Sequence, residues 1–267
     1  MKLMTLNLNT YQEDKQREKF NRIAQTIVNE DIDVICFCEA AQTFMSPQVD
    51  EYVREDNAVK LICDEANRLL GKEVYQFVWD LSHYGFKIYE EGIALMSKHP
   101  MTEVASQYVS QTHDIFTFKS RKVIKASIDY NGMNIDVYSC QLGWDDDAYE
   151  PFSEQFKRLD AWVKKESKDG MIVLAGDFSN DVKTQAYQQI ISNNYIDQYV
   201  LGQPDGMNDE TFIYPVGFDT VNVNQRLRLD YIFSNEHHYP IVQAKRLFNV
   251  DDRVSDHMAV LIEWKID

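Results

Sequence analysis

Two kinds of apolar spacing take turns along this 267-residue chain, one repeating every second residue and the other every third or fourth. That alternation is its tightest constraint on fold, because the first spacing buries one face of a strand and the second buries one stripe of a helix. The period-2 runs predict strands at 3–8, 32–38, 75–79, 92–97, 123–130, 135–140, 171–175, 229–233 and 258–265. Helices are expected at 15–30, at 57–70 behind a cap at Asp56 or Asn57, at 150–166, and as a short piece over 182–193. Asn131-Gly132 marks a tight hairpin between two of the strands. The interleaving predicts a mixed α/β architecture. No repeat or linker divides the chain, so a single domain over 1–267 is expected.

Charge narrows the partners. With 27 Lys and Arg against 43 Asp and Glu, the net charge is -16, and a field of that sign repels nucleic acid. A small anionic substrate stays open, since a local site or a bound cation can reverse the potential. Cys36, Cys38, Cys63 and Cys140 form no Cys-x-x-Cys pair and are expected to be reduced core thiols. The first residues lack the long apolar run of a signal peptide, and no segment approaches the ~20 apolar residues of a membrane span. A soluble cytoplasmic protein with no membrane partner is the expectation.

Polar residues recur where the strands run out. The stretch LAGDFSND at 174–181 follows an apolar run with Asp177, and it fits either a turn or a site. Asn7, Glu39, Asp230, Asp256 and His257 stand at other strand ends, where the loops of an α/β fold gather into a cleft. Glu39, Asp256 and the amide oxygen of Asn7 are hard oxygen donors of the type Mg²⁺ prefers. Asp230 is positioned to pair with His257, which would hold the imidazole protonated toward a phosphate.

The ordered segments LNLN (6–9), CEA (38–40), EGIALMSKHP (91–100), LGWDD (142–146), GDF (176–178), LDYIF (229–233) and SDH (255–257) together resemble the endonuclease/exonuclease/phosphatase superfamily, with its deoxyribonuclease I-like fold. The resemblance implies a four-layer α/β sandwich of two packed, mostly antiparallel sheets flanked by helices. It also implies hydrolysis of phosphate esters with a divalent cation, usually Mg²⁺, with Mn²⁺ an alternative. Carried over, it places Asn7, Glu39 and Asp256 at the metal, Asp177 on the attacking water, and Asp230 with His257 on the phosphate. Arg121 reads either as a phosphate-neutralising cation or as a solvated strand flank.

Two positions depart from the pattern. Gln141 stands where the phosphatase and sphingomyelinase branches usually have histidine, and Ser179 where asparagine usually follows GDF. A glutamine donates a neutral hydrogen bond and carries no charge, so activity reduced by Gln141 and Ser179 is expected. Glu91, which corresponds to the carboxylate partner of the missing histidine, is expected to face an amide.

The segments HYGFKIYEEGIALMS and LGWDDDAYEPFSEQF look most like a bacterial branch containing maltose 6'-phosphate phosphatases. A phosphorylated sugar would meet His83, Tyr84, Trp144 and Tyr149, although core packing also explains each aromatic. A nuclease or phospholipid phosphodiesterase of the same fold, or a phospholigand-binding relative without catalysis, remain the alternatives.

Overall fold

Two six-stranded sheets lie face to face, and helices cover the outer face of each. The computed structural model describes residues 1–167, 170–213, 226–236 and 238–266. In the first sheet the order is β13 (Ile241–Leu247), β14 (Ala259–Trp264), β1 (Lys2–Asn7), β2 (Val34–Thr43), β4 (Tyr89–Ser97) and β3 (Gln76–Gly85). In the second it is β5 (Met101–Tyr108), β6 (Lys122–Tyr130), β7 (Met133–Gln141), β8 (Met171–Asp177), β12 (Asp230–Ser234) and β9 (Ile196–Asp197). β10 (Phe212–Ile213) and β11 (Arg226–Leu227) form a small separate ribbon.

Parallel pairing occurs between β1 and β2 and between β7 and β8, and the other pairs are antiparallel. A parallel pair needs a long crossover, supplied here by α1 (Gln16–Asn29) and α3 (Phe152–Glu166). Leu3, Val34, Cys36 and Ile93 of one sheet meet Ile124, Val137, Val173 and Ile232 of the other in the central core. Outside the first sheet, α1 and α2 (Ala58–Leu70) bury Phe20, Ile23, Val59 and Ile62. Outside the second, α3 and α4 (Gln185–Ser192) bury Phe152, Phe156, Leu159 and Ile190. Each such side chain contributes about 1.5–3 kcal/mol, so the layers are held by area and not by any single contact.

Local chemistry explains several boundaries. Asn57 caps α2 by accepting from the amides of Val59 and Lys60, and Gly71 ends it at φ 68°. Asn131 and Gly132 both have positive φ, 55° and 84°, as a tight two-residue hairpin turn requires. The four cysteines are buried and free. No helix among the described residues is long and apolar enough to cross a membrane.

Three features depart from the expected pattern. β2 does not stop at Glu39 but continues to Thr43, because a bulge between Phe37 and Ala40 takes up Glu39 at φ 47°. β5 and β13 had no sequence signal, since both are edge strands with largely wet faces that lack apolar alternation. The segment between α4 and β12, which shows no regular apolar spacing, contains α5 (Gln198–Gly202) and a 3₁₀ turn over Pro204–Asn208, and residues 214–225 lie outside the described residues.

Candidate active site

Gln141, Asp177 and Asp230 stand in one row across the second sheet. Asp177 ends β8 and is in register with Gln141 on β7 and with Asp230 on β12. The close approach that sets this row requires Gly176, because a Cβ there would lie 1.8 Å from the Cys140 carbonyl oxygen. The first sheet delivers Asn7 from the end of β1, Glu39 from the bulge in β2, and His257 from just before β14. Both sheets therefore release their polar residues at the same edge, above a cleft of about 890 Å³.

The two sets are bonded to each other. The Asn7 amide nitrogen donates to Glu39 Oε1 at 2.9 Å and to Asp177 Oδ2 at 3.0 Å. Its Oδ1 accepts from the Asn9 amide at 3.0 Å, so Asn7 turns its nitrogen toward Glu39 and its oxygen away. In this arrangement the Asn7 amide orients two carboxylates. Gln141 Nε2 also donates to Glu39 Oε1, at 3.0 Å.

Glu39 is the charge under most stress. Burial first, then the nearby Glu91 and Asp256, raise its pKa to about 8 against the opposing Asn7 bond and His257. Crowded carboxylates of this kind favour a divalent cation. Among the described residues no three His, Cys, Asp or Glu side chains form a metal-holding group. Glu39 and Asp256, both lining the cleft, are hard oxygen donors of the kind a divalent cation takes.

On the far side, His257 Nδ1 lies 2.8 Å from Asp230 Oδ2. Burial works against a charged imidazole, but Asp230, Asp177 and Asp256 together push His257 up to about 10. Burial raises Asp230 to about 6 despite the imidazole, so at neutral pH the pair keeps its proton on His257. Thr211 supports it, its hydroxyl accepting from the amides of Leu229 and Asp230 at 2.9 Å and 3.0 Å. The Phe212 ring packs on the His257 ring at 4.8 Å. Thr211 and Phe212 carried no sequence signal, being ordinary residues just before and at the start of the short strand β10.

Ser179 sits at φ 53°, its amide donating to Asp177 Oδ1 at 2.7 Å and its hydroxyl to the Leu142 carbonyl at 2.8 Å. The neighbouring Asn180 is turned away, its side chain donating to the carbonyls of Gly143 and Phe178.

Arg121, just before β6, is 7% exposed and has no carboxylate partner among the described residues. Its guanidinium lies 5.5 Å from the Trp144 ring centroid within the cleft. His83, Tyr84 and Glu91 line the same cleft. The expectation that Glu91 faces an amide is corrected: its Oε1 stands 3.1 Å from His83 Nε2, because the register of β3 on β4 sets those residues opposite each other. Tyr149 lies outside the cleft lining, exposed, with the Lys119 ammonium over its ring. Phe86, Phe116 and Phe118 also line the cleft and were not anticipated.

A profile of the Endonuclease/Exonuclease/phosphatase family matches residues 4–257. No curated protein matches the sequence at a significant level. Among solved structures, an endonuclease/exonuclease/phosphatase family protein from Leptotrichia buccalis C-1013-b is similar at 27% identity and TM-score 0.87, with 100% of each chain covered. Humanized D. rerio TDP2 is similar at 14% identity and TM-score 0.67, covering 100% of this chain and 99% of that one. Beta toxin from Staphylococcus aureus is similar at 19% identity and TM-score 0.66, covering 99% and 100%. The last two likenesses are of fold. With the profile spanning nearly the whole length, the chain belongs to the endonuclease/exonuclease/phosphatase family, whose members are generally hydrolases that use divalent cations.

Proposed function

We propose that this protein is a Mg²⁺-dependent phosphomonoesterase acting on a small phosphorylated sugar such as maltose 6'-phosphate, with activity reduced by Gln141 and Ser179. Arg121 carries the reading. A guanidinium that lines the cleft with no carboxylate partner among the described residues is available to a ligand's negative charge, and a phosphate matches its planar donor fork. The net charge of -16 disfavours a polyanionic strand as substrate, while the aromatic walls suit the C–H faces of a sugar.

In this reading Arg121 and the protonated His257 bind the phosphoryl oxygens, and Asp230 keeps the imidazole charged and oriented. Asp177, held through one oxygen by the Ser179 amide and through the other by Asn7, accepts the proton of the attacking water. Asn7 and Gln141 fix the direction of Glu39. A Mg²⁺ or Mn²⁺ ion at Glu39 and Asp256 would polarise the phosphoryl oxygen and offset the developing charge.

Hydrolysis of maltose 6'-phosphate and other sugar phosphates, read as phosphate release, of plasmid DNA, read as strand cleavage, and of sphingomyelin, read as phosphocholine release, each with and without Mg²⁺, tests the proposal. Metal-dependent release from the sugar phosphates supports it. Turnover confined to DNA or sphingomyelin points to the phosphodiesterase alternatives, and a rate equal to the metal-free blank points to a binding protein.

A further inference from the structure

Glu91 and His83 are a polar pair in the cleft that the reaction above does not use. They oppose each other across β3 and β4 and line the cleft with Arg121 and Gln141. His83 is 2% exposed, and its Nδ1 is buried with no hydrogen-bond partner. Placing a proton on Nδ1 would bury an unsatisfied N–H donor, which is rarer in folded proteins than an under-used acceptor. The imidazole proton therefore belongs on Nε2, the nitrogen 3.1 Å from Glu91 Oε1.

Glu91 is underused as an acceptor. No hydrogen bond reaches its Oε2 from the described residues, and Gly85 leaves that oxygen room, since a Cβ there would come within 3.3 Å of it. A carboxylate on the cleft wall repels a phosphoryl group, so the phosphate belongs beside Arg121 and His257 instead. What an open carboxylate beside an N–H donor does suit is a group that both donates and accepts. A hydroxyl does both, and neighbouring hydroxyls on a ring can engage the two carboxylate oxygens together.

We infer that Glu91 and His83 form an acceptor and donor pair that reads the hydroxyls of the substrate's alcohol, selecting a phosphorylated polyol ring over an aryl or alkyl ester. This rests on the phosphomonoesterase reading. Tyr84 and Phe116, whose rings lie 5.5 Å apart beside the pair, supply apolar contact for the ring's C–H face.

The test compares maltose 6'-phosphate with p-nitrophenyl phosphate, whose alcohol has no free hydroxyl, in the wild type, Glu91→Gln and His83→Asn. The wild type is expected to prefer the sugar ester. In each variant the ratio of kcat/KM for the sugar ester over the aryl ester should fall on the order of 10- to 100-fold, through KM of the sugar ester, as expected for lost bonds to a charged acceptor and its donor. A ratio unchanged in both variants overturns the inference. Hydrolysis of both esters without preference overturns it while leaving the phosphomonoesterase reading intact. If neither ester is hydrolysed, that reading fails and calorimetric binding of maltose 6'-phosphate decides this one. At least tenfold weaker binding by the variants supports the pair, and equal or absent binding overturns it.

Discussion

Gln141 at the end of β7 donates to Glu39 in the bulge of β2 across 3.0 Å, tying one sheet to the other at the floor of the cleft. An amide here secures Glu39, but one of its two N–H groups is thereby committed and neither carries charge. In Gln141→His an imidazole can still meet Glu39 and adds a cation and a transferable proton. Phosphate release from maltose 6'-phosphate is expected to rise by tenfold or more, given the ~10²- to 10⁴-fold typical of general acid–base groups. Steady-state kinetics beside the wild type would show it, and a rate that stays level would mean Gln141 does not limit turnover.

Ser179 occupies a backbone conformation, φ 53°, that asparagine adopts more readily than serine. Ser179→Asn should therefore leave thermal stability within about 1 kcal/mol of the wild type, even though the serine hydroxyl's bond to Leu142 is lost. Combined with Gln141→His it should increase kcat further. A cooperative drop in Tm in the single variant would show that the hydroxyl's bond outweighs the backbone preference.

Asp177→Asn preserves shape and the contact with the Ser179 amide, but removes the base. His257→Ala removes the cation that Asp230 maintains. Each should lower kcat by roughly 10²- to 10⁴-fold. Folding should persist in Asp177→Asn, checked by its unfolding midpoint.

Arg121 exchanges stability for binding. Arg121→Met keeps much of the side chain's volume against Trp144 while removing a cation that has no carboxylate partner among the described residues. KM for the phosphate ester should rise at least tenfold, while Tm stays level or increases. A fall in Tm with unchanged KM would show that the guanidinium serves the fold.

Glu39 makes metal binding pH-dependent. In the metal-free protein its pKa is raised to about 8 by burial and by Glu91, above the ordinary 4.5. The folded state therefore holds a proton that the unfolded chain releases, and the resulting stability is present below about 4.5 and lost as pH rises through about 8. Mg²⁺ competes with that proton, so its apparent affinity should fall about tenfold per pH unit below that value. Thermal unfolding at fixed Mg²⁺ should show a Tm gain that grows toward pH 8 and then levels off. A gain independent of pH would place the cation elsewhere.

The residues that build the site were legible because their positions are one-dimensional facts. An apolar run ending in Asp177 or Asn7 puts that residue at a strand end wherever the strand lies, whereas Glu39 marks a bulge within its strand. Edge strands β5 and β13 were not legible, since a strand wet on much of its surface has no contrast to read.

Sequence alone determined the two periodicities, and with them the alternation of helices and strands and the polar residues at their ends. Only the tertiary structure decided who faces whom: Asn7 turning its nitrogen to Glu39 and Asp177, Gln141 reaching across to Glu39, His83 meeting Glu91, and Arg121 buried without a carboxylate. The reason is register. The bulges at Glu39 and between Leu81 and His83 shift the pairing on β4, and a one-residue shift moves every later side chain to the other face. Hydrophobic spacing within a single strand does not encode that choice.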